Sequence, residues 1–412
     1  MKIEMFHLMP YRGLPEDFRE RHHSVWVDVP NQLCDPAVAH ELYNQSLDEL
    51  ELAAALGFDG VCVNEHHQNA YGFMPSPNIM AAALARRTRD AALIVLGNSI
   101  ALYNPPIRVA EEFAMLDCIS GGRLVAGFPV GTSMDTNYCY GINPATLRAR
   151  YHEAERLIVE AWTREEIFSF DGQFSQLRYV NIWPRPIQKP HPPIWIPGGG
   201  SIETWAWCVE RDYLYAYLSY SGFKRGQTVM GGFWKKVDEL GAEPNPYRAG
   251  FLQLVAVGRS ASEVEEKYGR HGEYFYNKML HVYPGFADAP GYRTLATIKA
   301  GLLGQTGRFG DRPQALTWSD LVANGNIVAG TPSQVVEQLH EVIRNLRIGH
   351  LMLLCQFGSI PHELALENIR LTATEVAPKL RHVWEGEWED RWWIKPLARQ
   401  RPPAALAGAA RG

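Results

Sequence analysis

Short apolar runs alternate along this chain with longer stretches whose apolar residues recur every three or four positions, the periods of buried strands and amphipathic helices. The runs predict strands at 3–8, 60–64, 92–97, 124–128, 194–197, 214–217, 251–257 and 350–355. The longer stretches predict helices at 36–56, 78–89, 105–119, 144–162, 202–210, 224–240, 332–345 and 362–380. Alternating strand and helix implies parallel strands joined by right-handed crossovers. The expected architecture is α/β: a closed (β/α)8 TIM barrel with insertions at its C-terminal face. An open doubly wound sheet is the alternative, because a pattern does not register closure.

Local signals support these boundaries. Thr331-Pro332-Ser333-Gln334 spells a capping box with proline at the first helical position. Gly57 and Gly349 stand where helices should end before a strand. Two stretches exceed simple loops: 168–186, a hairpin turning at Asp171-Gly172, and 270–325, rich in Gly, Tyr and His. Loops of this kind at a barrel mouth carry sites and form lids. Trp384, Trp388 and Trp392 recur at helical spacing and read as core or subunit contact. One barrel domain thus spans 1–380, with a C-terminal extension over 381–412 whose Ala-, Pro-, Arg- and Gly-rich end from Lys395 reads as flexible.

Composition narrows the class. With 412 residues, 46% of them hydrophobic, the chain can bury a large core. A net charge of −5 gives no electrostatic reason to expect nucleic acid. Its six cysteines are scattered without any Cys-x-x-Cys pair, against a zinc site or disulfide framework and in keeping with a reducing cytosol. The N-terminus lacks a secretory apolar region, and no apolar run approaches membrane-spanning length, so a soluble, cytoplasmic protein is expected. Neither Gly-x-Gly-x-x-Gly nor a Walker loop occurs, so any redox work must use electrons delivered from outside.

The candidate chemistry gathers at strand ends. The run 193–204 carries a strand into Gly198, Gly199 and Gly200, then into Ser201, a natural helix cap. Glycines permit close backbone approach, and the following helix presents unpaired N–H groups that suit a phosphate. A turn that binds nothing is the alternative for this segment alone. Glu65-His66-His67 follows the second strand, where a barrel places reactive residues. A general acid/base role for His66 and His67 fits better than metal binding, since His-Glu-x-x-His spacing is absent; purely structural histidines are the bland reading. Gly97-Asn98 closes the third strand, and Asn98 suits a planar ligand edge, although a plain turn explains it equally. The fourth strand ends similarly in a segment reaching Gly131, and Arg148, Arg150 and Tyr151 begin the next helix, where a guanidinium suits phosphate.

Three segments together carry a resemblance. They are Leu56-Gly57-Phe58-Asp59-Gly60-Val61-Cys62-Val63-Asn64-Glu65-His66-His67, the stretch from Asn104-Pro105-Pro106 through Ser120-Gly121-Gly122-Arg123-Leu124, and the 193–201 strand and turn. Over about residues 1–380 the chain resembles the bacterial-luciferase-like, flavin-dependent monooxygenases. The resemblance implies a TIM barrel binding reduced FMN at its C-terminal mouth, a dimeric state, and FMNH2 supplied by a separate NAD(P)H:flavin reductase. It implies oxygen addition at flavin C4a, the resulting peroxyflavin then oxygenating a small hydrophobic substrate. Carried over by position, His66 matches the acid/base histidine and His67 its neighbour. Gly97-Asn98 matches a non-prolyl cis peptide beneath the flavin ring. Arg148 matches a phosphate-contacting arginine, Tyr151 a flavin-contacting tyrosine, and Gly199, Gly200 and Ser201 the phosphate turn. Phe6, His7, Tyr71, Phe73 and Tyr103 are expected to wall the pocket. Two positions depart from luciferase: Pro129 stands at its reactive cysteine and Gly199 at its acidic residue, so light emission is not expected. An F420-dependent reductase or dehydrogenase on the same barrel is the nearest rival. A metal-dependent hydrolase using His66 and His67 and a non-catalytic flavin-binding protein are the others.

Overall fold

Eight parallel strands close on themselves in the computed structural model, which describes residues 1–218, 220–302 and 315–398. They are β1 (Lys2–Phe6), β2 (Gly60–Val63), β3 (Ala92–Val95), β4 (Leu124–Gly127), β7 (Ile194–Gly198), β8 (Leu214–Tyr217), β9 (Ala249–Val257) and β11 (His350–Leu354). Neighbours pair in that order, and β11 returns to β1 with Lys2 opposite His350. Every residue of β2, β3, β4 and β8 is buried, as expected of strands covered by helices outside and by packed side chains inside. This is the expected (β/α)8 barrel.

A ninth sheet member was not legible. β10 (Ile327–Gly330) pairs with the outer half of β9, from Leu254 to Val257, beyond the point where β8 has ended. The stretch 270–325 is likewise more than a loop. The helix Ala261–Tyr274 runs into it and continues as a wider turn over Phe275–Met279, followed by helices Pro284–Ala287, Leu295–Leu302 and Trp318–Ala323. Residues 303–314 of this insertion lie outside the described residues. The expected hairpin forms from β5 (Phe168–Asp171) and β6 (Gln176–Val180).

The Thr331 capping box is present, with the hydroxyl taking the Gln334 N–H and the Gln334 side chain taking the Thr331 N–H. That helix ends, however, on Arg347 in the left-handed region (φ +52°), not on Gly349. Gly349 has another cause: a Cβ there would lie 2.6 Å from Tyr247 Cα. The tryptophans after residue 380 are not helical either; the chain runs as turns, with Trp384 at φ +67°. They lock the extension to the barrel instead. Trp195 Nε1 donates to the Trp392 carbonyl at 3.1 Å, Trp392 Nε1 to Asp212 O at 2.8 Å, and the Met1 ammonium to the carbonyls of Arg381 and Val383 at 2.9 Å each. Buried His350 holds the same junction through Glu4 (2.9 Å) and Asp390 (3.6 Å). Most of the tail read as flexible, residues 399–412, lies outside the described residues. Among the described residues no helix is long and apolar enough to cross a membrane.

Candidate active site

The segments that follow β2, β3, β4, β7 and β8 surround a cavity of about 330 Å3 at the C-terminal mouth of the barrel, where βα loops assemble sites. His66, Gly131, Arg148, Gly199, Gly200 and Ser201 all line it.

One side is an anion cradle. Gly200 adopts φ +104°, which only glycine takes without strain, and no atom lies within 4 Å of where a Gly199 Cβ would sit. The helix Ile202–Glu210 starts here with Ser201 as its cap residue, yet the Ser201 hydroxyl makes no cap bond. It accepts from Arg148 Nη2 at 2.7 Å and donates to Glu203 Oε2 at 2.8 Å. Arg148 Nη1 reaches the Thr204 hydroxyl at 3.4 Å, and among the described residues its buried Nε has no partner. Glu203 also accepts from the hydroxyls of Thr294 and, at 2.6 Å, Thr297, which ties the segment before residue 303 to the cradle. Burial would raise the Glu203 pKa, but the hydroxyls of Thr297 and Ser201 and the charge of Arg148 bring it below the usual carboxylate value. The carboxylate is therefore ionised beside the cradle, a feature with no signal in the sequence.

Opposite, His66 is oriented by Asp135, whose Oδ2 lies 2.9 Å from Nδ1. Asp135 Oδ2 also accepts from the Thr132 hydroxyl at 2.7 Å, and Oδ1 takes the His67 N–H at 2.9 Å. Trp26 meets the His66 ring edge-on at 5.4 Å and stacks on Tyr71 at 3.8 Å. Phe6 and Tyr71 wall the cavity as expected. His7 does not: it pairs with buried Glu49 at 2.7 Å. Phe73 lines a second cavity of about 740 Å3 that shares Trp26 with the first, and Tyr103 is not among the residues lining either.

Four expected site residues stand behind the cavity surface. His67 is buried, its Nε2 2.6 Å from Glu65 Oε1 and its Nδ1 3.3 Å from the Tyr140 hydroxyl. Gly97 is glycine for packing, since a Cβ would come within 2.7 Å of Glu65 N. Asn98 is buried in a reciprocal amide pair with Asn78, at 2.9 and 3.1 Å. Tyr151 spends its hydroxyl on the Phe128 carbonyl at 2.6 Å. Arg150 lies over the Phe174 ring on the hairpin side. The expected cis peptide at Gly97–Asn98 is a further correction: among the described residues the cis bonds all precede proline, at Pro105, Pro184 and Pro190. The Asn98 N–H donates to Gly127 O at 3.2 Å in the trans form.

Sequence reasoning missed Glu65, Asp135, Glu203 and Tyr292 as members of the site. Tyr292 lines the cavity and donates its hydroxyl to Gly131 O at 2.5 Å, joining the 270–325 insertion to the segment after β4. Among the described residues no three His, Cys, Asp or Glu side chains are grouped to hold a metal ion, and each histidine of the pair is engaged by a carboxylate of its own.

The family described as luciferase-like monooxygenase matches residues 25–349. The chain belongs to that family. Among similar proteins is the oxygenase component of flavin-dependent trigonelline monooxygenase from Acinetobacter baylyi, 29% identical over 167 residues, 40% of this chain and 46% of the relative. In fold, the family barrel is shared with the oxygenating constituent of 3,6-diketocamphane monooxygenase from Pseudomonas putida, solved with FMN: TM-score 0.69, 19% identity, 92% of this chain and 98% of that one. It is shared also with an F420-dependent secondary alcohol dehydrogenase: TM-score 0.60, 16% identity, 92% of this chain and 99% of that one.

Proposed function

We propose that the protein is the oxygenase of a two-component, FMN-dependent monooxygenase acting in the cytoplasm on a small hydrophobic substrate. A separate NAD(P)H:flavin reductase supplies the reduced flavin. One observation carries this reading: a single cavity has an anion cradle on one side and, on the other, a histidine oriented by a carboxylate within an aromatic wall. Family membership supports it, as does the FMN complex of a protein with the same fold.

The residues present suit a flavin mononucleotide. Arg148, Ser201, Thr204 and the N–H groups at the start of Ile202–Glu210 would hold its phosphate, the guanidinium through charge-assisted hydrogen bonds. When bound, the reduced flavin supplies two electrons, with which O2 gives one oxygen atom to the substrate and one to water. Trp26, Tyr71 and Phe6 exclude water from the reacting region. Asp135 fixes His66 through Nδ1, and among the described residues Nε2 keeps no partner, so this nitrogen is the one able to hold or deliver a proton in the cavity. The second cavity beyond Trp26, flanked by Leu14, Val29 and Phe73, is the apolar space for substrate.

A homodimer is part of the proposal. Ile79 on the helix Pro77–Arg87 and Met115 and Ile119 on the neighbouring helix Ile107–Ser120 are 70%, 50% and 44% exposed, apolar surface that a second copy would cover. The six cysteines are all free thiols, in keeping with the cytoplasm.

F420 chemistry on the same barrel is the second reading, favoured by two guanidinium groups besides Arg148, those of Arg19 and Arg293, in the cavity wall. Anaerobic titration of the protein with reduced FMN and reduced F420 separates the two. Saturable FMN binding, with transfer of one labelled oxygen atom to a hydrophobic substrate, is expected. Tight binding of F420 alone overturns the proposal, and FMN binding with no oxygenated product for any substrate class reduces it to flavin sequestration.

A further inference from the structure

We propose that Glu65, His67 and Tyr140 form a proton-exchange path between the cavity and bulk solvent. Glu65 lines the cavity and is 5% exposed. Its Oε1 lies 2.6 Å from His67 Nε2, and its Oε2 is anchored by the Ser99 N–H at 2.9 Å. His67 is buried, and its other ring nitrogen, Nδ1, lies 3.3 Å from the Tyr140 hydroxyl. Tyr140 reaches the surface, 48% exposed, with its ring 4.5 Å from that of His67. Both ring nitrogens of one imidazole are thus spent in line, one toward a cavity carboxylate and one toward the hydroxyl of a half-exposed tyrosine.

The ring contacts are not needed to hold the loop. The His67 N–H is already taken by Asp135 at 2.9 Å, and its carbonyl receives Asn69 Nδ2 at 2.8 Å. A carboxylate buried at the floor of a cavity is costly to ionise, and burial raises the Glu65 pKa despite the His67 bond. Such a group exchanges protons usefully only if a path to water exists. The other titratable groups facing it are Asp135 and Tyr103, and Cys139 lies beside Tyr140.

The step balances. His67 passes its Nε2 proton to the Glu65 carboxylate, Tyr140 passes its hydroxyl proton to Nδ1, and water reprotonates the phenolate oxygen. One proton moves inward and Glu65 becomes a carboxylic acid; the reverse sequence discharges it. The kinetic demand rests on the proposed oxygenation. Substrate, O2, the reduced-flavin anion and one proton give oxygenated substrate, oxidised flavin and water, so each turnover draws one proton into the cavity.

Tyr140→Phe tests the path, since it keeps the exposed ring and removes only the hydroxyl. In the ligand-free protein, nitrogen-resolved NMR should show solvent exchange of the His67 Nε2 proton slowed about a hundredfold, the lower end of what one proton-transfer group contributes. Turnover should fall by a similar factor, FMN affinity should stay unchanged, and small buffer acids should restore the rate. Exchange that is unchanged or faster in the variant overturns the proposal, as does lost turnover that buffer acids leave unrestored. The exchange measurement needs no cofactor, so a protein that proves not to bind FMN would sink the flavin reading while this test still stood.

Discussion

Replacing Arg148 by methionine isolates the electrostatic part of the cradle. The thioether keeps the apolar stem and removes the guanidinium, which now bonds Ser201 Oγ at 2.7 Å and approaches Thr204 at 3.4 Å. A charge-assisted hydrogen bond contributes about 1.5–3 kcal/mol. Because the Arg148 side chain is 27% exposed, solvent screening confines the effect to the lower part of that range, about 1.5–2 kcal/mol. At about 1.4 kcal/mol per factor of ten, FMN should bind about ten- to thirtyfold more weakly. Riboflavin, which lacks the phosphate, should bind the variant and the parent alike. Flavin titration by fluorescence quenching, run with both ligands and at two salt concentrations, reads this directly. The FMN deficit should shrink as salt rises, because screening weakens the lost attraction in the parent. An equal loss for FMN and riboflavin, or no loss for FMN, refutes the phosphate assignment.

Other changes probe separate parts of the account. His66→Ala should leave FMN affinity within about twofold and lower oxygenation by about a hundredfold, the scale of a lost general acid/base; an unchanged rate of product formation removes His66 from the chemistry. Glu203→Gln deletes the ionised carboxylate beside the cradle, and since two like charges about 4 Å apart repel by about 1 kcal/mol at solvent-like dielectric, FMN binding should strengthen about fivefold; weaker binding in a titration contradicts that. At the far end of the barrel, burial alone would lower the His350 pKa, but Asp390 and Glu4 outweigh it and push it up to about 9. A group with a raised folded-state pKa stabilises fully below its unfolded value, near 6.5, and loses that contribution as pH rises through about 9. The melting-temperature gap between the parent and His350→Gln should therefore close from pH 6 to pH 10; a gap constant with pH would disprove the linkage.

The eight barrel strands were legible because each is a short apolar run buried on both faces, a signal independent of loop conformation. β10 was not: Ile327–Gly330 has the same character, but it sits in a long excursion and pairs only with the overhang of β9. The triglycine turn and His66 could be read because glycine and histidine announce backbone freedom and proton chemistry by residue type. Which of two adjacent histidines faces the cavity could not, since the chain leaves strand geometry after Val63 and period two no longer assigns faces. Asp135 rides on a wide helical turn over Met134–Cys139, and Glu203 looks in sequence like an ordinary first-turn acid. Their roles come from contacts with His66 and with Thr294 and Thr297, partners far along the chain that leave no local pattern. Asn98 and Tyr151 carry residue types that suit a ligand, yet Asn78 and the Phe128 carbonyl satisfy them internally.

The most direct test is a crystal structure of the protein grown with FMN. The account predicts the phosphate against Arg148, Ser201 and the start of Ile202–Glu210, with the isoalloxazine ring lying inside the mouth beside His66. A phosphate bound elsewhere, or a ring directed into solvent away from His66 and Trp26, would contradict it.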